Sequence, residues 1–283
     1  MTRIAHLTDL HLVERRPEAR SWQDRLRIQT ISQGRPIDSE RPRRRLRRAF
    51  AEARAARADH VVVTGDLTED GIPAQFEVLA EELHAAPFAP EQITLVPGNH
   101  DGYTSGDAFE KALAGPLAAF RVTSRPGTAV ELKGATVVAL STTIHQHWLR
   151  AAGELGERQR RRIHDVLHAR ERRGATVLAM HHPPFTFGLR LGWLEGLLDL
   201  GFVRTMLRPF RSAHVLCGHV HERGDHRLGP ARHARLHTAH SVAEDDRALR
   251  LYDAIDDRLV PSDGPVPFAL AMRAFRQSAL GEA

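Results

Sequence analysis

Cysteine occurs once in 283 residues, at position 217, so the chain has no internal disulfide and no cysteine-built zinc site. Lysine is almost as scarce: apart from Lys111 and Lys133, all 40 basic residues are arginine. Aromatic residues make up only 6 %. No stretch approaches the roughly 18 consecutive apolar residues that a membrane helix needs. The opening MTRIAHLTDLHL reaches the polar pair Thr8 and Asp9 without a long apolar segment, which argues against a cleaved secretory leader. One thiol and no span make a soluble, cytoplasmic protein the expectation.

What remains is ordinary for a globular chain: 42 % apolar and 27 % charged residues. The length suffices to bury a sizeable core without disulfide or metal staples. A net charge of +5 and a pI near 10.2 suit nucleic acid on their face. The excess is arginine alone, however, and reads as composition rather than a built surface. Its densest run, Arg41 to Arg48, leads into Leu46, Ala49, Phe50 and Ala53, the pattern of the solvated start of an amphipathic helix. Nucleic acid is not an expected partner.

Strand-like runs fall at 3–8, 60–64, 93–96, 128–132, 135–141, 175–180 and 213–217, then at 225–228, 234–239 and 248–255. Helical patterns fall at 43–57, 74–84 and 157–171, and from about 266 to the end. Strands alternating with helices indicate a layered α/β fold, read as a single domain over 1–283. Residues 13–41 are polar and weakly periodic, an insertion or flexible excursion. The apolar run Phe185 to Phe202 reads as a core or dimer-interface helix, or as a hydrophobic pocket wall; a homodimer is compatible with the former.

Polar residues gather where strands stop. Five apolar runs end, in order, on Asp9-Leu-His11, Gly65-Asp66, Gly98-Asn99-His100-Asp101, His181-His182 and Gly218-His219-Val-His221. Each is weak alone, since Gly-Asp is usually a turn and a His pair before two prolines is usually structural. In layered α/β proteins, however, the C-terminal ends of strands converge on sites. Carboxylate, amide and imidazole without thiolate suit Mn, Fe, Zn or Co, and the ligands are too many for one ion. Two ions sharing a carboxylate is the natural reading, a clamp for displacement at phosphorus.

The set resembles the calcineurin-like metallophosphoesterase superfamily, whose blocks run D-x-H, GD, GNH[DE], H and GHxH. The resemblance implies a four-layer α/β/β/α sandwich with a dinuclear site at one edge of the sheets. It implies Asp9, His11, Asp66 and His221 around a first metal, and Asp66, Asn99, His181 and His219 around a second. His181 is preferred to His182. His100 takes the place of the acid beside the leaving group, with Asp101 orienting its ring. Glu69 stands where purple acid phosphatases carry tyrosine, and Gly153-Glu-Leu-Gly-Glu-Arg-Gln159 resembles a segment of bacterial cyclic-nucleotide and glycerophosphodiester phosphodiesterases. Ser141-Thr142 departs from the Asp-Ser pair of relatives.

The implied activity is hydrolysis of a small organic phosphodiester, such as a cyclic nucleotide, by hydroxide generated at two divalent or mixed-valence transition metal ions. Two such ions against two carboxylates leave about +2, a bridging hydroxide lowers that to about +1, and a monoanionic diester then neutralises it. A phosphomonoesterase or nucleotide pyrophosphatase is the alternative, and a non-catalytic metal-binding scaffold the reading from another class. Trp22, Arg25, Arg27 and Arg35 of the excursion are candidate substrate contacts. Of the seven histidines between 214 and 240, His219 and His221 are expected ligands, projecting to one side with the period of a strand. His214, His226, His233, His237 and His240 are expected to be structural or exposed.

Overall fold

The computed structural model describes residues 1–169, 174–185, 189–228 and 234–264. The helix expected from about 266, the last two residues of the helix expected over 157–171, and His233 lie outside these residues.

Three parallel strands, β1 (Thr2–Leu7), β2 (His60–Thr64) and β3 (Ile93–Val96), form the heart of the first sheet. Its order is completed by two antiparallel strands beside β1: β10 (Arg250–Ile255), then β11 (Arg258–Pro261) at the edge. The second sheet is built on parallel β5 (Ala135–Ala139), β6 (Ala175–Ala179), β7 (Ala213–Cys217) and β9 (Arg235–Thr238). Antiparallel β4 (Ala129–Leu132) and β8 (Gly224–Arg227) close its two edges.

Alternation along each strand assigns its two faces. In β2, Val61 and Val63 pack under helices α2 (Arg41–Ala55) and α3 (Pro73–His84), against Leu46, Phe50, Phe76 and Leu79. Val62 faces the other way, into a layer shared with Val137 of β5 and Val177 of β6. On the far side, Leu178, Val215 and Leu236 pack with Ile163 of α6 (Gly156–His168) and Val203 of α8 (Leu200–Leu207). Three apolar layers between four structural ones make the α/β/β/α sandwich. In the middle layer the second sheet presents small residues, Ala135, Ala139, Ala175 and Ala179, which leaves room for the bulkier first sheet, including Tyr252.

That middle layer is not purely apolar. His6 and His60 are buried in it, bonded to Thr64 (2.7 Å) and Thr94 (2.8 Å). Further along, Leu259 N–H donates to His214, which lies 3.1 Å from His237, itself 2.5 Å from Asp225. His214 and His237 are therefore structural residues of the sandwich. His240 is partly exposed, and Cys217 is fully buried.

Three stretches depart from the sequence reading. Residues 13–41 hold a 3-10 turn at Pro17–Ala19 and the helix α1 (Trp22–Ile31), capped by Ser21 accepting from Asp24 N–H. Of α1 only Ile28 and Ile31 are buried. The short helices α4 (Ala108–Ala114) and α5 (Arg121–Ser124) and the edge strand β11 carry patterns too brief to read. From residue 189 onward the apolar run holds two helices, α7 (Leu189–Glu195) and α8, with Leu197 buried but Trp193 and Phe202 exposed. No helix among the described residues is long and apolar enough to cross a membrane.

Candidate metal centre

All five motif loops leave the C-terminal ends of parallel strands, β1, β2 and β3 from one sheet and β6 and β7 from the other. Backbone bonds lock the loops together. Asp9 N–H donates to Gly65 O (3.0 Å), His11 N–H to Asp66 O (2.9 Å) and Gly218 N–H to His181 O (3.1 Å). Among the described residues, eight non-glycines have positive φ, and five of them are Asp9 (52°), His11 (46°), Asp66 (46°), His219 (72°) and His221 (53°). Each such residue costs on the order of 1–2 kcal/mol, so surrounding contacts must hold it. His219 and His221 thus converge by left-handed turns, not by the strand alternation expected of them; β7 ends at Cys217. Gly218 is required by close approach, since a Cβ there would overlap Thr8 Oγ1 and come within 2.6 Å of Asp9 Oδ2.

One ligand-capable atom from each of Asp9, His11, Asp66 and His221 lies within 4.8 Å of the others. His221 Nε2 is 3.4 Å from Asp9 Oδ1 and 3.4 Å from His11 Nε2. Asp66 Oδ2 is 3.9 Å from His11 Nε2 and 3.2 Å from His181 Nε2, which is also 3.1 Å from Asn99 Oδ1. A second group joins His181, His182 and His219. Both ring nitrogens of His182 are engaged, by Thr142 Oγ1 (2.7 Å) and Ala151 O (2.9 Å). Those of His181 are divided between Thr64 O (2.8 Å) and the centre.

The other imidazoles share that division. His219 Nε2 donates to Glu195 O (2.7 Å), His100 Nδ1 to Glu69 O (2.6 Å), and His221 Nδ1 lies 3.1 Å from Glu244 Oε2. An acceptor behind each ring fixes its tautomer and turns the other nitrogen inward. Electrostatics agree with a cation-seeking pocket. Burial works against ionisation of Asp66, yet His181 and His100 beside it hold its carboxyl well below the usual range. Burial also opposes the charging of His221, but Asp9 and Glu244 raise it to about 10; Asp66 raises His181 to about 9 in the same way. Oxygen and imidazole donors around ionised, buried carboxylates fit Mn, Fe, Zn or Co.

Asp101 requires a correction. It does not orient His100: its carboxylate accepts from Gly98 N (2.8 Å), Leu67 N (3.0 Å), Thr68 N (2.9 Å) and Thr68 Oγ1 (2.7 Å). It stitches the β2 loop to the β3 loop, while the Glu69 carbonyl holds His100. Burial, with Asp66 nearby, raises Asp101 to about 7 despite these donors. Glu244, Glu195 and Thr64 were not foreseen as ring partners. Two act through backbone carbonyls, which no side-chain pattern reports. Glu244 sits in an acidic run whose turn is tied to Thr8 and Asp9 by Val242 N–H and Ala243 N–H.

A cavity of about 170 Å³ adjoins the His11 side, lined by Arg35, Arg41 and Arg45 and by Asp38, Glu69 and Glu244. Of the excursion's expected substrate contacts, only Arg35 reaches this region; Trp22 and Arg25 are exposed.

The model of the calcineurin-like phosphoesterase family matches residues 2–223, which include all five loops. The chain belongs to that family. A probable cyclic nucleotide phosphodiesterase of Rhodococcus erythropolis is 30 % identical over 224 residues, 77 % of this chain and 64 % of that protein. A cAMP/cGMP dual specificity phosphodiesterase of Mycobacterium tuberculosis is 29 % identical over 58 % of this chain and 49 % of its own length. The chain therefore spans about half to two thirds of the length of these relatives. In fold it is similar to a dimetal phosphatase from Danio rerio (TM-score 0.67, 14 % identity, 92 % of this chain and 95 % of the other). A purple acid phosphatase from yellow lupin shares the fold too (TM-score 0.58, 14 % identity, 94 % and 52 %). The turn carrying Glu244 lies outside the matched residues.

Proposed function

We propose that the chain is a metal-dependent phosphodiesterase acting on a small organic phosphodiester, with a cyclic nucleotide as the first substrate to test. The observation that carries the reading is Asp66, whose Oδ2 faces His181 on one side and His11 on the other. One carboxylate is thereby shared by two donor sets. Asp9, His11, Asp66 and His221 would hold one ion, and Asp66, Asn99, His181 and His219 the second. Bound there, the ions would lower the pKa of water to about 7 and neutralise charge on the phosphoryl oxygens.

The chain's own groups supply the rest. His100 Nε2 lies 3.9 Å from Asp66 Oδ2, at the edge of both donor sets. Burial pushes His100 down to about 4. A proton held on its Nε2 in the substrate complex would pass to the departing alkoxide. The three arginines of the adjoining cavity are matched by Asp38, Glu69 and Glu244, so they add no net charge that would favour a dianionic monoester. The names of the two curated relatives point to cyclic nucleotides.

The test is a substrate panel with Mn²⁺: bis(p-nitrophenyl) phosphate, p-nitrophenyl phosphate and cyclic AMP. The expected result is preference for the bis-ester and conversion of cyclic AMP to AMP. Preference for the monoester would overturn the diester assignment.

A further inference from the structure

The proposed ligand His11 must keep its proton on Nδ1 if Nε2 is to face an ion, and Nδ1 is buried without a closed hydrogen bond. A buried N–H left unsatisfied costs about 1–3 kcal/mol. The acceptor nearby is Glu69, itself buried, with Oε2 at 3.4 Å from Nδ1. Its other oxygen is held by residues 13–41: Arg35 Nη2 donates to Oε1 at 2.8 Å, and Ser32 Oγ lies 2.9 Å from the same atom.

The same segment grips the β2 loop at a second point. Arg20 pairs with Asp70, the next residue, at 2.9 Å and also with Glu14, which accepts from Gln75 (3.0 Å). The excursion is therefore anchored at Glu69 and again at the residue after it. Nothing in the five motifs calls for these contacts.

We propose that Glu69 is a positioning residue for the metal centre, and that Ser32 and Arg35 serve as the clamp that aims it at His11. The inference rests on the reading of His11 as a ligand. A carboxylate behind a ligating imidazole fixes the ring and makes it a better donor, and its loss commonly weakens metal binding 10–100-fold. The geometry also separates two tasks of one residue. The Glu69 carbonyl serves His100 and survives any side-chain change, whereas the carboxylate serves His11 alone among the motif imidazoles at under 3.5 Å.

The test is titration of metal-free protein with Mn²⁺ by calorimetry, and with Co²⁺ followed by its visible absorption, in wild type, His11→Ala, Glu69→Ala and Glu69→Gln. Unfolding of each metal-free variant in urea checks that the fold persists. Expected are two ions in wild type, one fewer in His11→Ala, and one site weakened about 10–100-fold with a changed Co²⁺ spectrum in Glu69→Ala. Glu69→Gln, whose amide oxygen can still accept, should recover part of that loss. Arg35→Met, more distant from the centre, should weaken the same site by a smaller factor. Two tight sites in Glu69→Ala, with an unchanged spectrum, would overturn the positioning role while leaving the function standing. Unaltered stoichiometry in His11→Ala would instead remove the ligand reading on which it rests.

Discussion

The Nδ1 proton of His100 goes to the Glu69 carbonyl, while the neighbouring Asp101 carboxylate turns away and collects four donors from two loops. Adjacent residues therefore have separable tasks, and mutation should split them. His100→Ala is expected to slow hydrolysis of an alkyl diester by 10²–10⁴, with a smaller effect on a p-nitrophenyl diester, whose leaving group needs no proton. Asp101→Ala should instead cost on the order of 3 kcal/mol of stability, because three buried backbone N–H groups lose their acceptor. Steady-state rates and urea unfolding of the metal-free proteins measure the two. Equal damage by both variants to the alkyl-to-nitrophenyl rate ratio would contradict the division. At this scale the sequence was informative about which residue types meet, since each motif could be quoted before any fold was known. Their conformations were not legible. Left-handed φ at His219 and His221 leaves no compositional trace beyond Gly218, and ring partners that act through carbonyls leave none.

Among the elements, strands with continuous valine or alanine were legible because burial on both faces demands it. The helix α1 was not. Its apolar residues Trp22, Leu26, Ile28 and Ile31 do not form one stripe, and the structure leaves Trp22 and Leu26 exposed. What fixes this segment is polar: Ser21 at its start, Arg20 and Arg35 at its ends. The Gly153 to Gln159 segment shows a physical purpose beyond resemblance. Gly153 lies so close to His182 that a Cβ would come within 2.6 Å of the ring, Leu155 is buried, and Gln159 clamps both backbone groups of Ser141. Gln159→Ala should therefore destabilise the protein by about 1–3 kcal/mol through the orphaned Ser141 N–H, read as a lower urea midpoint. An unchanged midpoint would mean that water replaces the amide at no cost.

For the whole molecule, the sandwich carries histidines between its sheets, and they set how it responds to acid. Burial lowers His6 to about 3 and His60 to about 4. A histidine depressed in the folded state binds its proton more readily when unfolded, so stability rises with pH between the two pKa values. The contribution of His6 and His60 should thus be fully present above about pH 6.5 and fall steadily towards pH 4, by on the order of 3 kcal/mol for each buried imidazole. Urea unfolding across pH 4–7 checks this, and His60→Gln should flatten the slope. The same slope in that variant would place the acid sensitivity elsewhere.

The proposed ligands are divided between the two sheets, and His219 meets Asp9 across 210 positions of sequence. During synthesis the first strand must wait for nearly the whole second sheet before its aspartate has a partner. Neither half of the chain can assemble the donor set by itself. Retained metal would consequently report on completed assembly, and a chain stalled before the loop after β7 would lack His219 and His221 of the proposed donor set.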